Sequence, residues 1–243
     1  MDQHWVQRTA PSLEIADGRR WRSSTAVAHH RATLPREHHP SFVQLYYAVE
    51  ARRTSTDAPM AVQFVSASPE AGVSTVASGY ACVAATGRPT PVLFIDASCG
   101  RGRQKSPASN VPSLVQAFER GIDVAEAAIP ARNGENLLWA RLSDHPDELL
   151  GVGSDRLQHL FGHLGEVFRL IVLDSASIDR PEAALLSRYC DGSLLVLEAG
   201  VTSQSQIDAA CRRLKQFGGV AIGSVLNRER RALSRKQVRY LGN

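Results

Sequence analysis

Five short runs of this chain are apolar at almost every position instead of every second one. They are VQFV (62–65), PVLFIDAS (91–98), FRLIVLD (168–174), GSLLVLEAG (192–200) and VAIGSVLN (220–227). Strands of that kind are buried on both faces. Segments of helical spacing fall between them: Ser74 to about Ala85, Leu114–Phe118, Val124–Ile129, Asp147–Glu166, Pro181–Tyr189 and Thr202–Phe217. A helix over Ser41–Arg53 precedes the first run, and Asn136–Leu142 reads as a further strand. The alternation predicts an α/β fold: a mostly parallel sheet with helices on both faces, in three Rossmann-like layers. In such sheets ligands collect at the carboxyl ends of the strands. The segment Ser66–Ser74, Asp96, Asp174 and Asn227 all fall at such ends.

The first of these junctions has a chemistry of its own. Ser66-Ala-Ser-Pro-Glu-Ala-Gly72 is turn-forming, and Ser74, Thr75, Val76 and Ala77 open a small-residue helix. Backbone N–H groups at a helix start cradle anions, so strand, tight loop and helix together make a phosphate-binding loop. The usual spelling is Gly or Ala, four residues, then Gly-Lys-Ser/Thr. Here it is Ala67, four residues, Gly72, Val73, Ser74. Each position fits except the lysine, which reaches the β- and γ-phosphates in such loops. Val73 carries no charge to that place.

Charge is unevenly spread. The chain carries a formal +4, while 228–243 alone holds six basic residues against Glu229. Such an end is a solvated surface or a contact for anionic lipid, nucleic acid or an acidic protein face. Residues 1–40 sustain no hydrophobic period and hold five of the eight histidines. They are expected to be a disordered, basic, His-rich tail ahead of a domain over 41–243. At the pairs His29-His30 and His38-His39 no Cys or carboxylate at ligand spacing completes a metal set, and no metal site is expected there. Cys82, Cys99, Cys190 and Cys211 lack metal or redox spacing, which suits a reducing compartment. No signal peptide is expected, and no run approaches the ~20 apolar residues of a membrane span. The expected location is cytoplasmic.

In order along the chain, several segments form a set: SFVQLYYAVEARR, the Pro69-Glu70-Ala71-Gly72 loop, VLFIDA, VPSLVQAFERGIDVAEA, ENLLWARLSDHPDELL, FRLIVLD and DGSLLVLEAGVTSQSQIDAACRRLKQFGGVAIGSVLNR. The set resembles the bacterial tyrosine kinases of the CpsD/CapB type, cytoplasmic partners of polysaccharide co-polymerases. Those kinases fall within the wider MinD/ParA-like P-loop class. The resemblance covers nearly everything from residue 41 onward. It implies a P-loop NTPase-like fold that takes ATP or ADP with Mg²⁺. It places the nucleotide against Ser68, Pro69, Glu70, Ala71, Gly72, Val73, Ser74, Thr75, Asn227 and Arg228, with Asn227 at the adenine base. Ser74, Asp96 and Asp174 would surround the metal, the two aspartates being the catalytic remnant.

The departures from the family matter as much. The loop lysine is Val73. The family's Asp-x-Asp is Asp96-Ala97-Ser98, and its Thr-Pro-Pro is Ser175-Ala176-Ser177. Its C-terminal tyrosine cluster is reduced to Tyr240. Arg101 or Arg103 is the cation expected to stand in for lysine, should any do so. The resemblance therefore implies a catalytically impaired, tyrosine-kinase-like regulator of capsule or exopolysaccharide synthesis or export. Its partner would be a membrane polysaccharide co-polymerase or another protein of that machinery. The chain would reach the inner membrane through that partner. The Ser41–Arg53 helix corresponds to a segment at which the family's subunits meet in homo-oligomers. Two other readings stay open: an active tyrosine kinase or ATPase with an unorthodox loop, and a ParA/MinD-like positioning ATPase. The segment ENLLWARLSDHPDELL favours the polysaccharide branch, for which no nucleic acid is expected.

Overall fold

The structure is a computed structural model and describes residues 13–14, 20–21, 39–53, 55, 58–99, 111–131 and 136–229. The N-terminal tail up to residue 38 lies outside them, apart from a two-residue antiparallel pair, β1 (Leu13–Glu14) with β2 (Arg20–Trp21). Arg101, Arg103, Tyr240 and the basic end from residue 230 also lie outside.

The main sheet holds β3 (Met60–Ser66), β4 (Val92–Ala97), β5 (Ile129–Pro130), β6 (Leu137–Arg141), β7 (Leu170–Ser177), β8 (Gly192–Glu198) and β9 (Ala221–Asn227). Their order across the sheet is β5-β6-β4-β7-β3-β8-β9. All neighbours run parallel except the short β5 against β6. The expected mostly parallel α/β sheet is the fold observed. Central strands β3, β4 and β8 are buried along nearly their whole length, as their apolar runs require.

Helices cover both faces. The even-numbered positions Val62, Phe64, Phe94, Val172 and Val196 pack with α1 (His39–Glu50) and α2 (Val73–Thr86). The odd-numbered positions Leu93, Ile95, Ile171 and Leu173 meet α3 (Leu114–Glu119), α4 (Pro146–Val152) and α5 (Ser154–Val167). Val65, Leu195 and Leu197 on that same face meet α6 (Pro181–Leu186) and α7 (Gln204–Gln216). Strand alternation thus sorts one sequence into two cores. Docking of α1 depends on a missing side chain: a Cβ at Gly79 would lie 2.4 Å from the Phe42 ring. Glycine lets that ring sit directly on the α2 backbone.

Three expectations need correction. Val124–Ile129 is not one helix: Val124–Ala127 is a single 3-10 turn, and Ile129 belongs to the edge strand paired with Trp139. Asp147–Glu166 is two helices, broken at Gly153. Strand β9 has the apolar sequence of a doubly buried strand but is an edge strand, with Leu226 56% exposed. An apolar run alone does not distinguish a centre from an edge. Helix α7 starts from an N-cap at Ser203, with Gln206 closing a capping box. Among the described residues, no helix is long and apolar enough to cross a membrane.

Candidate functional site

Strand β3 ends at Ser66, and the chain turns through 67–72 into α2. Two residues make the turn, Glu70 at φ 61° and Gly72 at φ 87°. Gly72 is the N-cap of α2 and offers no side chain to its first-turn amides, and that turn holds no acidic residue. The helix start therefore presents free N–H donors and its positive dipole end. It opens on a cavity of about 570 Å³ lined by residues 69–75, Ser98, 174–177, Asp179, Arg180 and Arg228.

Most positions expected to hold a nucleotide meet in this one cavity. Pro69, Glu70, Ala71, Gly72, Val73, Ser74, Thr75, Asp174 and Arg228 line it. Ser68 lies beneath the loop, buried, its Oγ without a hydrogen-bond partner among the described residues. Val73 belongs to the apolar core with Phe64, Val76 and Tyr80, and is 9% exposed. Asn227 ends β9, and its Nδ2 donates to the Ala71 carbonyl at 2.8 Å. A Cβ on Gly72 would lie 2.3 Å from that Nδ2. The amide that the resemblance sets against an adenine base here clamps the 67–72 loop to the far edge of the sheet. Arg228, at φ 58°, pairs with Glu198 at 2.9 Å.

The two aspartates are register partners on adjacent strands β4 and β7 and point to the α2 face. Asp96 Oδ1 accepts from the Ser98 backbone N–H at 3.0 Å and from Ser98 Oγ at 2.6 Å. Asp174 is 6% exposed and hydrogen-bonds the Ser74 side chain. Burial pushes its carboxyl up to about 7; the Ser74 bond pulls it down, and the Asp96 charge pushes it up again. Among the described residues, no cluster of three or more His, Cys, Asp or Glu could enclose a metal ion. A hydroxyl and two carboxylates are instead the oxygen donors suited to Mg²⁺, which keeps several waters and shares its coordination with phosphate. The donor set therefore fits that ion, and a cation would offset the cost of ionising buried Asp174.

The sequence reading missed Asp179 and Arg180. They lie in the crossover that leaves β7, the strand of Asp174, and enters α6. The available signal was their position: a charged pair just past a strand end that carries a site acid.

No protein-family model matches the chain. Over 100 residues it is 32% identical to the tyrosine-protein kinase CpsD of Streptococcus pneumoniae serotype 4. That match covers 40% of this chain and 43% of the kinase, less than half of the relative's length. Among solved structures, the kinase domain of the Escherichia coli tyrosine kinase ETK superposes with a TM-score of 0.66 at 20% identity. The superposition covers 85% of this chain and 86% of that one. The chain has the fold of the bacterial tyrosine kinase domains, and over 100 residues its sequence is similar to one such kinase. A ParA family ATPase from Chlorobium tepidum shares the fold more distantly, with a TM-score of 0.58, 16% identity and coverage of 70% and 75%. Within this kinase-like fold, the loop, Ser74 and Asp174 line one cavity, with Asp96 beside Asp174 in the sheet and bonded to the lining residue Ser98, whereas position 73 supplies no charge to it.

Proposed function

We propose that this kinase-like protein regulates capsule or exopolysaccharide synthesis or export without transferring phosphate itself. In this reading the cavity holds ADP or ATP as a structural ligand. Free amides at the start of α2 receive the phosphates, and Ser74 and Asp174 face the accompanying Mg²⁺. That ion, when bound, would neutralise phosphate charge. Asp96 and Asp174 would orient its water shell from the sheet.

The observation that carries the proposal is Val73: the side chain at the lysine position sits in the apolar core. Phosphoryl transfer rests almost wholly on positioning and charge stabilisation. Removing one donor of transition-state charge costs on the order of a hundred- to a thousandfold in rate. The serine in place of a second carboxylate after Asp96 deepens the loss, although such losses do not simply add. The partner in this proposal is the cytoplasmic segment of a membrane polysaccharide co-polymerase. The outer side of α1, where Tyr47 is 66% exposed, is the face assigned to neighbouring subunits.

The test is Mg²⁺-dependent ATP turnover by the purified chain, benchmarked against Asp174→Ala. Size-exclusion chromatography with and without the co-polymerase segment tests the partner. Turnover indistinguishable from that variant, together with a co-eluting complex, is expected. Turnover well above it would overturn the non-catalytic reading. A monomer that binds no segment would overturn the partner.

A further inference from the structure

We propose that Arg180 supplies to a bound nucleoside polyphosphate the positive charge that Val73 does not. The inference rests on reading the cavity as a nucleotide site and names the cation of that site. Among the described residues, two arginines line the cavity, Arg180 and Arg228. Arg228 is engaged by Glu198 at 2.9 Å. The half-buried Arg180 side chain has no hydrogen-bond or ion-pair partner among the described residues. Glu70, Asp174 and Asp179 line the same cavity. A polyphosphate entering beside three carboxylates needs a cation from the protein as well as any it brings. A guanidinium is the side chain best shaped to meet two phosphate oxygens at once.

Arg180 is also held in place. The Ile178 N–H donates to the Ser66 carbonyl at 2.9 Å, which ties the crossover to the root of the phosphate-binding loop. The Arg180 N–H closes a turn on the Ser177 carbonyl at 2.9 Å. Beneath them Gln63, fully buried in β3, donates from Nε2 to Ser175 Oγ at 3.1 Å and to the Ala183 carbonyl at 2.8 Å. Its Oε1 accepts from Ser193 Oγ at 2.8 Å. This buried clip joins β3, β7, β8 and α6, so the wall carrying Arg180 and the loop opposite it stand on one rigid base.

The experiment is calorimetric titration of MgADP, MgATP and adenosine into the wild-type chain, Arg180→Ala, Arg180→Lys, Val73→Lys and the double variant Val73→Lys/Arg180→Ala. Circular dichroism verifies folding of each. Loss of one charge-assisted phosphate contact predicts about a tenfold to hundredfold weaker affinity for MgADP in Arg180→Ala. Arg180→Lys should fall between, adenosine affinity should not move, and Val73→Lys should restore binding in the double variant. Wild-type binding that Arg180→Ala leaves unchanged would overturn the role of Arg180 while the nucleotide site stands. So would binding by Val73→Lys but not by the wild type. An equal loss for adenosine would also overturn it, by showing that the substitution only deforms the pocket. No binding by either the wild type or Val73→Lys would overturn the nucleotide site and Arg180 together.

Discussion

Replacing Asp174 by asparagine isolates the energetic cost of keeping a buried acid beside Ser74 at the start of α2. The carboxyl has an ordinary value of 3.8 and rises to about 7 in the folded chain. Between those values the folded state holds a proton that the unfolded state releases, so stability must fall as pH rises. The sign is that of a raised group: its contribution is complete below about pH 4 and is gone above about pH 7. The shift corresponds to roughly 4 kcal/mol at most, or about 1.4 kcal/mol for each pH unit between the two values. An asparagine side chain is isosteric with aspartate and uncharged, and it can keep the Ser74 hydrogen bond. The difference in unfolding free energy between Asp174→Asn and wild type should therefore grow in the variant's favour from pH 4 to 7, then level off. Urea denaturation at half-unit pH intervals, without divalent cations, measures it. Millimolar Mg²⁺ with ADP should reduce the variant's advantage at pH 8 by stabilising the wild type selectively. A pH-independent difference, or a variant less stable than wild type at pH 8, would refute the assignment of burial as the cause.

Other substitutions test the supports of the site. Gly72→Ala places a Cβ against Asn227 Nδ2 at φ 87°. It should cost about 2–3 kcal/mol from the left-handed backbone and the lost Asn227 bond; adding Asn227→Ala should recover the clash component in thermal unfolding. Gln63→Leu strands the Ala183 carbonyl and the Ser193 hydroxyl in the core. An unfolding titration should show a loss of about 2–4 kcal/mol, whereas Ser193→Ala in that background should return part of it. Gly79→Ala forces a methyl into the Phe42 ring and should cost about 1–3 kcal/mol. Proteolysis should then cut near residue 50 sooner, because α1 would be displaced from α2.

The parts of this fold legible in the sequence are those fixed by local chemistry. Apolar runs marked the central strands because a strand covered on both faces admits few polar residues. The turn residues before Ser74 marked the tight turn into α2, because a turn through positive φ needs that chemistry. Asp96 and Asp174 were visible as acids closing apolar runs. What escaped depends on partners distant in sequence. Gln63 looks like an interruption of a strand until Ser175, Ser193 and Ala183 surround it. Asn227 looks like a ligand-facing amide until β9 lies beside β8 and brings it over Ala71. Ile129 carries a helical neighbourhood but pairs with Trp139, and β9 gives no local sign that it lies at an edge. Arg180 escaped because the chemistry of a crossover residue depends on what the sheet places opposite it.

The central claim is that the cavity retains a phosphate cradle and has lost the means of phosphoryl transfer. The direct measurement is a single-turnover experiment: protein in excess over γ-labelled MgATP, quenched over several hours and analysed for free phosphate and phosphotyrosine. The account predicts that the label remains in ATP and comigrates with the protein under native conditions. Label appearing on tyrosine, at a rate lost in Asp174→Ala, would contradict it.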